Sequence, residues 1–327
     1  MNKKQNTAIE KHPTISFSAD GSPYSDAFND IYFDTESGAQ QSEHIFIEGN
    51  NITDRLSSAT DTFTIAETGF GTGLNFLLTL QRYLLLGEKV ASTTLHYIST
   101  EKYPLTHQQL TQSLASMPML AKEAELLLEH YPQDFSVLDN PSQCRLSLLN
   151  GKVTLHLLFQ HSTDALALLN APKLGMVDAW YLDGFSPAKN PDMWSDGVFT
   201  QLARLSDQQT TLATYAAASD VRKRLTNAGF NIKKRVGYGP KREMISATFD
   251  EATSPAKPLW HHYSLPASTT PKSCSVIGAG LAGTHLAYTL ASEGLNVTLL
   301  DATQSVEGGS GNERAILFAR LSHAADY

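Results

Sequence analysis

The chain has 327 residues, of which 41% are hydrophobic and 18% charged, with a formal net charge of -8 at pH 7. This composition suits a globular protein of one large domain or two, and the polar N-terminus and the lack of a membrane-length apolar run predict a cytoplasmic protein without a membrane partner. Two distant cysteines suit neither a disulfide framework nor a metal site, and the net charge argues against diffuse nucleic-acid binding.

The first 50 residues predict a loose arm and then a small β element. Residues 1–20 are expected to form the arm, and short apolar runs follow at 31–33 and 44–48, separated by the polar stretch 35–43. Two such runs predict a β-hairpin that precedes the main domain.

A glycine-rich loop follows the first longer apolar run. The run at 63–66 predicts a strand, and the residues from Asn75 onward predict a helix. Between them lie an acid and three alternating glycines: Glu67, Gly69, Gly71 and Gly73. Glycine lets a backbone approach a ligand closely, so a strand, a glycine turn and a helix N-terminus in this order predict a nucleotide site. The spacing G-x-G-x-G resembles the first motif of S-adenosylmethionine-dependent methyltransferases.

From this loop onward the pattern alternates between strands and helices. Strands are predicted at 95–100, 153–159, 177–183 and 211–215, and helices at 110–131, 163–169 and 221–228. An antiparallel pair at 231–236 and 243–249 follows. We therefore expect a doubly wound, Rossmann-like α/β sheet of the class I methyltransferase type with an antiparallel C-terminal edge.

Two acids follow the second and third strands. Glu101 lies at a carboxyl end beside the glycine loop, where it could accept both ribose hydroxyls of an adenosyl ligand. The alternative is a surface glutamate paired with Lys102. Asp164 could reach an adenine amino group, and a helix N-cap role explains it equally well.

The fourth strand runs into Asp183-Gly-Phe185-Ser-Pro187. This turn resembles the Asp-Pro-Pro-Tyr type motif of methyltransferases that act on amino groups. Transfer from a sulfonium needs a neutral amine held in line with the methyl group, and Asp183 could orient the amine while Phe185 stacks on a base. The alternative is a tight turn with a buried phenylalanine.

A basic stretch lies near the end of the predicted sheet. Eight cations and no acid fall between residues 222 and 242: Arg222, Lys223, Arg224, Lys233, Lys234, Arg235, Lys241 and Arg242. They predict either a solvated helix face with a lysine-protected strand edge or a patch that binds RNA phosphates.

A second unit follows a proline-rich linker. Residues 251–272 have a linker composition, and Gly278, Gly280 and Gly283 then form G-x-G-x-x-G between a predicted strand and helix. Asp301 follows at the distance expected of a ribose-binding acid. Because 26 residues remain after Asp301, we expect an incomplete flavin domain in this chain, one that alone does not hold FAD stably and gives little or no oxidase activity.

Four longer motifs carry a more specific resemblance: 67–76, 101–106, 178–194 and 239–244. They resemble the family of bifunctional bacterial enzymes that complete 5-methylaminomethyl-2-thiouridine at the tRNA wobble position, and the resemblance runs from about Tyr24 onward. It implies that a C-terminal FAD-dependent oxidoreductase removes the carboxymethyl group from 5-carboxymethylaminomethyl-2-thiouridine. The N-terminal domain would then methylate the exposed amine.

The resemblance also implies domains and roles. Residues 1–250 would form the methyltransferase domain, and 273–327 the beginning of the FAD domain. S-adenosylmethionine would be held by Glu67, Gly69, Gly71, Gly73, Asn75, Glu101 and Asp164. FAD would be held by Gly278, Gly280, Gly283 and Asp301. Asp183 and Phe185 would face the modified uridine, and the tRNA phosphates would meet Lys233, Lys234, Arg235, Lys241 and Arg242. The family usually has Gly-Asp where this chain has Gln160-His161, so the resemblance assigns no adenine contact there.

Two other functions remain open from the sequence. A methyltransferase for a small free amine would need no RNA, and it leaves the basic stretch unexplained. A non-catalytic tRNA-binding fragment would bind tRNA without binding S-adenosylmethionine.

Overall fold

The computed structural model describes residues 12–138, 142–169, 177–239, 242–250, 273–292 and 295–302. The chain divides into two compact units, Met1–Tyr263 and Ser264–Tyr327. The linker predicted at 251–272 lies outside the described residues, and the domain boundaries remain predictions.

A small antiparallel sheet precedes the main domain, but its residues differ from those predicted. Its strands are β1 (Ile15–Phe17), β2 (Pro23–Ser25) and β3 (Asp30–Ile31), paired in that order. The prediction of a strand at 44–48 is wrong, because Glu43–Glu48 forms a π-helical segment directly after helix α1 (Gly38–Ser42). A short run of buried apolar residues fits a helix as well as a strand, so its periodicity does not separate the two.

The main domain is built on an eight-stranded sheet. Its strands are β4 (Thr62–Glu67), β5 (Thr94–Thr100), β6 (Gln143–Leu148), β7 (Val153–Leu158), β8 (Ala179–Tyr181), β9 (Thr211–Thr214), β10 (Phe230–Val236) and β11 (Glu243–Phe249). They lie in the order β10-β11-β9-β8-β4-β5-β7-β6, with five parallel strands in the middle and antiparallel pairings at both edges. The predicted doubly wound sheet and its C-terminal antiparallel edge are confirmed. Strand β6 is missing from the sequence prediction.

Helices cover both faces of this sheet. One face carries α2 (Ile52–Ser58), α3 (Leu74–Leu86), α4 (His107–Leu114) and α5 (Ala121–His130), and the other carries α6 (Ser162–Ala167), α7 (Asp196–Arg204) and α8 (Ser219–Asn227). The single helix predicted at 110–131 is two helices, separated by a 3-10 turn that begins at Pro118. Proline lacks the N–H that a continuous helix would need there.

The central strands are buried on both sides. On β8, Ala179 and Tyr181 belong to one hydrophobic cluster, whereas Trp180 belongs to the cluster on the opposite face. Successive side chains of a strand point to opposite faces, so this alternation places apolar layers above and below the sheet.

The topological switch lies between β4 and β8. From β4 the sheet continues through β5 and β7 on one side, and through β8 and β9 on the other. Ligands of open α/β sheets bind outside the carboxyl ends of the strands at this point. Glu67 at the end of β4 and Asp183 just after β8 therefore lie where a ligand is expected.

The second unit is a βαβ arrangement. Strand β12 (Ser273–Ile277) pairs in parallel with β13 (Asn296–Leu300), and helix α9 (Leu281–Ser292) connects them. This is the strand, helix and strand order predicted for a dinucleotide-binding unit.

One buried acid in the sheet predicts a pH-dependent stability. Burial raises the pKa of Asp178 from 3.8 to about 6, against the opposing effects of the Thr64 N–H bond and the Arg55 charge. The native state therefore holds a proton that the unfolded state releases, and stability falls as the pH rises from about 4 to about 6. Asparagine has no proton to lose in this range. The free energy of unfolding of Asp178→Asn minus that of wild type should therefore be about 2 kcal/mol larger at pH 7 than at pH 4.

Denaturant unfolding at both pH values measures this difference. Asp54→Asn, at an exposed position on α2, serves as the control and should track wild type at both. If the stability difference between Asp178→Asn and wild type does not change with pH, the raised pKa of Asp178 is contradicted.

Candidate functional site

The glycine loop joins β4 to α3 through backbone conformations that favour glycine. Gly71 and Gly73 have φ values of +52° and +75°, and Gly73 is the N-cap of α3. A Cβ added at Gly73 would lie 2.8 Å from the ring of Phe70. The Phe70 N–H donates to the carbonyl of Thr100, at 3.1 Å, and this bond ties the loop to the end of β5.

Three of the predicted site residues form one hydrogen-bonded network at the switch point. The Asn75 side-chain amide donates to Glu67 Oε1 at 2.8 Å and to Asp183 Oδ2 at 2.7 Å. Ser99 Oγ donates to the other oxygen of Glu67 at 2.7 Å. The amide oxygen of Asn75 is buried without a hydrogen-bond partner, so the network has acceptor capacity left for a ligand.

Burial raises the pKa of Glu67 well above its ordinary value, and the nearby negative charge of Asp183 adds to this effect. The hydrogen bonds from Asn75 and Ser99 act in the opposite direction. Glu67 therefore keeps its proton to a higher pH than an exposed glutamate does.

The turn that carries Asp183 is held from several sides. Thr68 Oγ1 donates to the Asp183 carbonyl at 2.7 Å and accepts the Asp183 N–H at 3.1 Å. The Gly184 N–H donates to Asp183 Oδ1 at 2.8 Å, and the Tyr215 hydroxyl donates to the Gly184 carbonyl. Gly184 has a φ of +135°, which few residues with a side chain adopt. These bonds fix the direction of the carboxylate.

Glu101 lies against the glycine loop, as the sequence predicts. Its Oε2 accepts the Gly71 N–H at 2.8 Å, and its Oε1 accepts the Tyr103 N–H at 2.9 Å. Burial raises its pKa, and these two backbone bonds oppose the rise. The carboxylate is thus positioned by backbone donors at the end of β5.

A cavity of about 110 Å³ lies beside Glu101 at the same edge of the sheet. It is lined by Phe28, Lys102, Tyr103, His161, Ser162, Thr163, Asn190, Asp192 and Met193. None of these nine residues is predicted as a site residue from the sequence, although five of them lie in the motifs at 101–106 and 178–194. Asp164 is not part of this lining: it is exposed in the first turn of α6, whose N-cap is His161.

Aromatic side chains from the small N-terminal sheet reach the Asp183 turn. The ring of Phe28 stacks on Phe185 with a centroid distance of 4.6 Å and an interplanar angle of 24°. Tyr32 meets Phe185 edge-on at 5.3 Å, and a Cβ added at Gly71 would lie 3.1 Å from the Tyr32 ring. Phe185 is only partly buried, which leaves part of its surface available to a ligand.

The basic stretch spans α8 and the edge hairpin: Arg222, Lys223 and Arg224 lie on α8, and its other described cations lie on β10 or directly before β11. Val236 pairs with Glu243 next to the turn, and Ile245 pairs with Thr214, the last residue of β9. The hairpin therefore projects from the same edge of the sheet as Asp183.

The cations of this hairpin differ in their surroundings. Lys234 pairs with Glu243 at 2.8 Å, and Arg235 donates to the Glu48 carbonyl at 3.4 Å. Lys233 and Arg242 are exposed, and Lys241 lies outside the described residues. The position of β10 at the sheet edge agrees with both interpretations of the basic stretch.

The glycine turn of the second unit has the geometry of a dinucleotide site. Gly278 has a φ of +101°, and a Cβ added at Gly283 would lie 1.7 Å from the Gly278 carbonyl oxygen. The Ala279 N–H donates to Asp301, which places the acid beside the turn. The residues present therefore fit a bound dinucleotide.

Within the described ranges, no group of three or more His, Cys, Asp or Glu side chains is arranged to hold a metal ion. Over the same ranges, none of the helices combines the length and apolarity that a membrane crossing requires.

Comparison with known proteins gives two family matches. Residues 118–250 match the S-adenosyl-L-methionine-dependent methyltransferase family, and residues 276–324 match an NAD(P)-binding Rossmann-like domain. A solved structure described as MnmC2 from Aquifex aeolicus superposes with a TM-score of 0.56 at 21% identity, covering 77% of this chain and 74% of that chain. This similarity concerns the fold.

Curated relatives are more similar in sequence. The tRNA 5-methylaminomethyl-2-thiouridine biosynthesis bifunctional protein MnmC of Legionella pneumophila (strain Lens) is 43% identical over 322 residues, which is 93% of this chain and 47% of the relative. Its counterpart in Marinomonas sp. is 39% identical over 318 residues, covering 95% of this chain and 46% of the relative. The chain thus spans about half the length of the curated relatives it matches.

Proposed function

Because this chain belongs by sequence to the family of the tRNA 5-methylaminomethyl-2-thiouridine biosynthesis bifunctional proteins, of which it spans about half, we propose that it N-methylates 5-aminomethyl-2-thiouridine at the tRNA wobble position. S-adenosylmethionine would be the methyl donor, and the product would be 5-methylaminomethyl-2-thiouridine. The reaction would take place in the cytoplasm.

The network that joins Glu67, Asn75 and Asp183 supports this proposal most directly. It connects the end of β4, the start of α3 and the turn after β8 at the switch point, where a ligand of this fold binds. The proposed donor site and the Asp183 carboxylate would therefore lie next to each other, as a direct transfer between two substrates requires.

The transfer itself makes modest demands on the protein. The carbon–sulfur bond of the sulfonium breaks and its electron pair stays on sulfur, while the lone pair of the amine forms the new carbon–nitrogen bond. An aliphatic amine has a pKa of about 10, so it must lose its proton before it can attack. Asp183 would accept hydrogen bonds from the N–H groups of the neutral amine, and this would direct the lone pair of the amine toward the methyl group.

The donor would be held along the glycine loop. Gly69, Gly71 and Gly73 leave room for S-adenosylmethionine next to the backbone. The unpartnered amide oxygen of Asn75 and the Glu101 carboxylate would accept hydrogen bonds from its N–H and O–H groups. The cavity beside Ser162 and Thr163 would receive the adenine. Asp164 remains a candidate that the described contacts do not involve.

The tRNA would approach across the β10–β11 hairpin. Lys233, Lys234, Arg235, Lys241 and Arg242 would meet its phosphates, and a wobble base can leave its single-stranded loop and stack on an aromatic ring such as Phe185.

We further propose that Gly278, Gly280, Gly283 and Asp301 form the part of an FAD site that lies in this chain. In the relatives' pathway the flavin would support removal of the carboxymethyl group, which would expose the amine that is methylated. A flavin absorption band in the purified protein, or one gained on titration with FAD, would support this assignment, and its absence under both conditions would contradict it.

One transfer assay tests the methyltransferase proposal. Labelled methyl donor and tRNA carrying 5-aminomethyl-2-thiouridine are incubated with the protein, and label is expected in that nucleoside. tRNA with an unmodified wobble uridine should receive none. A folded protein that transfers no label, or that labels free small amines in preference to tRNA, would overturn the proposal.

The basic hairpin gives a prediction of its own. The double substitution Lys233→Gln with Arg242→Gln should weaken tRNA binding equally for tRNAs with and without the wobble modification. The slope of log affinity against log salt concentration should become shallower by about one for each phosphate contact that is lost. Filter binding across a salt series measures the slope.

Lys122→Gln, at an exposed position on α5, is the matched control and should leave the slope unchanged. If the double variant keeps both the affinity and the salt slope of wild type, the basic stretch is a solvated edge and not an RNA contact.

A further inference from the structure

The small N-terminal sheet places an aromatic ring directly on the Asp183 turn. Phe28 lies in the turn between β2 and β3, and its ring is nearly parallel to that of Phe185. The same ring lies 6.2 Å from Tyr103 and lines the cavity beside Glu101. Phe28 thus contacts Phe185, which we propose to face the base, and it also lines the cavity that we propose to receive the adenine of S-adenosylmethionine.

The turn that carries Phe28 is fastened to the loop that carries Phe185. Lys189 Nζ lies 3.1 Å from Asp30 Oδ1 and also donates to the carbonyl of Asn29. Tyr32, which directly follows β3, packs edge-on against Phe185. These contacts hold the small sheet next to the Asp183 turn.

We propose that Phe28 and Phe185 together sandwich the target nucleobase, so that the N-terminal sheet supplies one wall of the acceptor pocket. This inference rests on the proposed function. Two nearly parallel aromatic rings suit a flat, single-stranded base, because stacking on aromatic side chains is how unpaired bases are held when they leave a nucleic-acid strand.

The distance between the Phe28 and Phe185 rings is too short for a base to fit between them. A base between two rings needs about 7 Å between them, since each face-to-face contact takes about 3.5 Å. The centroids are 4.6 Å apart, so the rings must separate as the base enters. Phe28 and Phe185 are both partly exposed, and Phe28 lies outside the main sheet, in the four-residue turn between β2 and β3. A rotation of the Phe28 side chain would therefore open this space without a change in the main sheet.

The test is a series of substitutions at Phe28 measured with a short anticodon stem-loop that carries 5-aminomethyl-2-thiouridine. Phe28→Ala and Phe28→Leu should each lower kcat/KM about 10- to 100-fold, mainly through a higher KM, because they remove the stacking face. Phe28→Tyr should retain nearly the wild-type value. The affinity for S-adenosylmethionine, measured by calorimetry, should change less than the KM for RNA in every variant.

A second substrate and a control variant distinguish base stacking by Phe28 from contacts with tRNA phosphates. The loss should be the same for the stem-loop and for full-length tRNA, since the contact is with the base and not with distant phosphates. Ile31→Ala, at an exposed residue of the same small sheet, should behave like wild type.

The possible failures are distinguishable. If the wild-type protein transfers no methyl group, the proposed function fails. If wild type is active and Phe28→Leu is equally active, or if Phe28 variants lose donor affinity instead of RNA affinity, the sandwich is wrong while the methyltransferase assignment stands. Phe28→Leu and Phe28→Tyr keep the test decisive even if Phe28→Ala folds poorly, because both retain a bulky side chain.

Discussion

Substitution of Asp183 by asparagine is expected to slow methyl transfer by about 100-fold or more, while the affinities for donor and tRNA change little. Both carboxylate oxygens of Asp183 accept hydrogen bonds, one from the Asn75 amide and one from the Gly184 N–H. Asparagine would turn one of these oxygens into an N–H donor that faces another donor. It would also remove the negative charge that we propose to orient the neutral amine.

Single-turnover transfer of labelled methyl to modified tRNA measures this effect. Asp54→Asn, far along the chain on an exposed helix position, should transfer at the wild-type rate. A large loss of tRNA affinity in Asp183→Asn, with the rate at saturation unchanged, would show that Asp183 binds RNA and does not serve the transfer step.

The arrangement of the main site follows from signals that are local in the sequence. Glu67, the alternating glycines and Asn75 fall within nine consecutive residues, and strand and helix periodicity on either side fixes their place at a carboxyl edge. Glu101 and Asp183 each end a run of strand residues, so parallel strands bring both to the same edge. Their roles in binding and transfer stay predictions, although their proximity in space was predictable.

The aromatic wall and the cavity lining were not predictable in the same way. Phe28 and Tyr32 belong to a short sheet near the N-terminus and meet Phe185 only through tertiary packing. No periodicity within residues 14–35 indicates which partner such a sheet contacts. Ser162 and Thr163 likewise become pocket residues only because α6 begins where β5 and β7 end.

Short apolar runs account for the errors in secondary structure. Ile45, Phe46 and Ile47 are all buried, so they show no alternation that would distinguish a strand from a helix packed on several sides. Strand β6 is missed for the opposite reason, since most of its residues are exposed or partly exposed and give a weak apolar signal. In both cases the tertiary environment decides the structure.

Removal of the Glu101 carboxylate is expected to weaken donor binding strongly. In the proposed complex this carboxylate would accept both ribose hydroxyls of S-adenosylmethionine, and two hydrogen bonds to a charged group are worth about 1.5 kcal/mol each. Glu101→Ala should therefore raise the dissociation constant of the donor about 100-fold. Glu101→Gln keeps one acceptor oxygen and should raise it about tenfold.

Calorimetric titration with S-adenosylmethionine measures these constants, and filter binding measures tRNA affinity in parallel. Glu125→Ala, on an exposed position of α5, is the matched control for loss of a glutamate. Glu101 also accepts the N–H groups of Gly71 and Tyr103, so its variants must be compared at a temperature where thermal unfolding shows each to be folded. If folded Glu101→Ala binds the donor as tightly as wild type, the carboxylate only braces the glycine loop. The ribose must then be held elsewhere along the edge of the sheet.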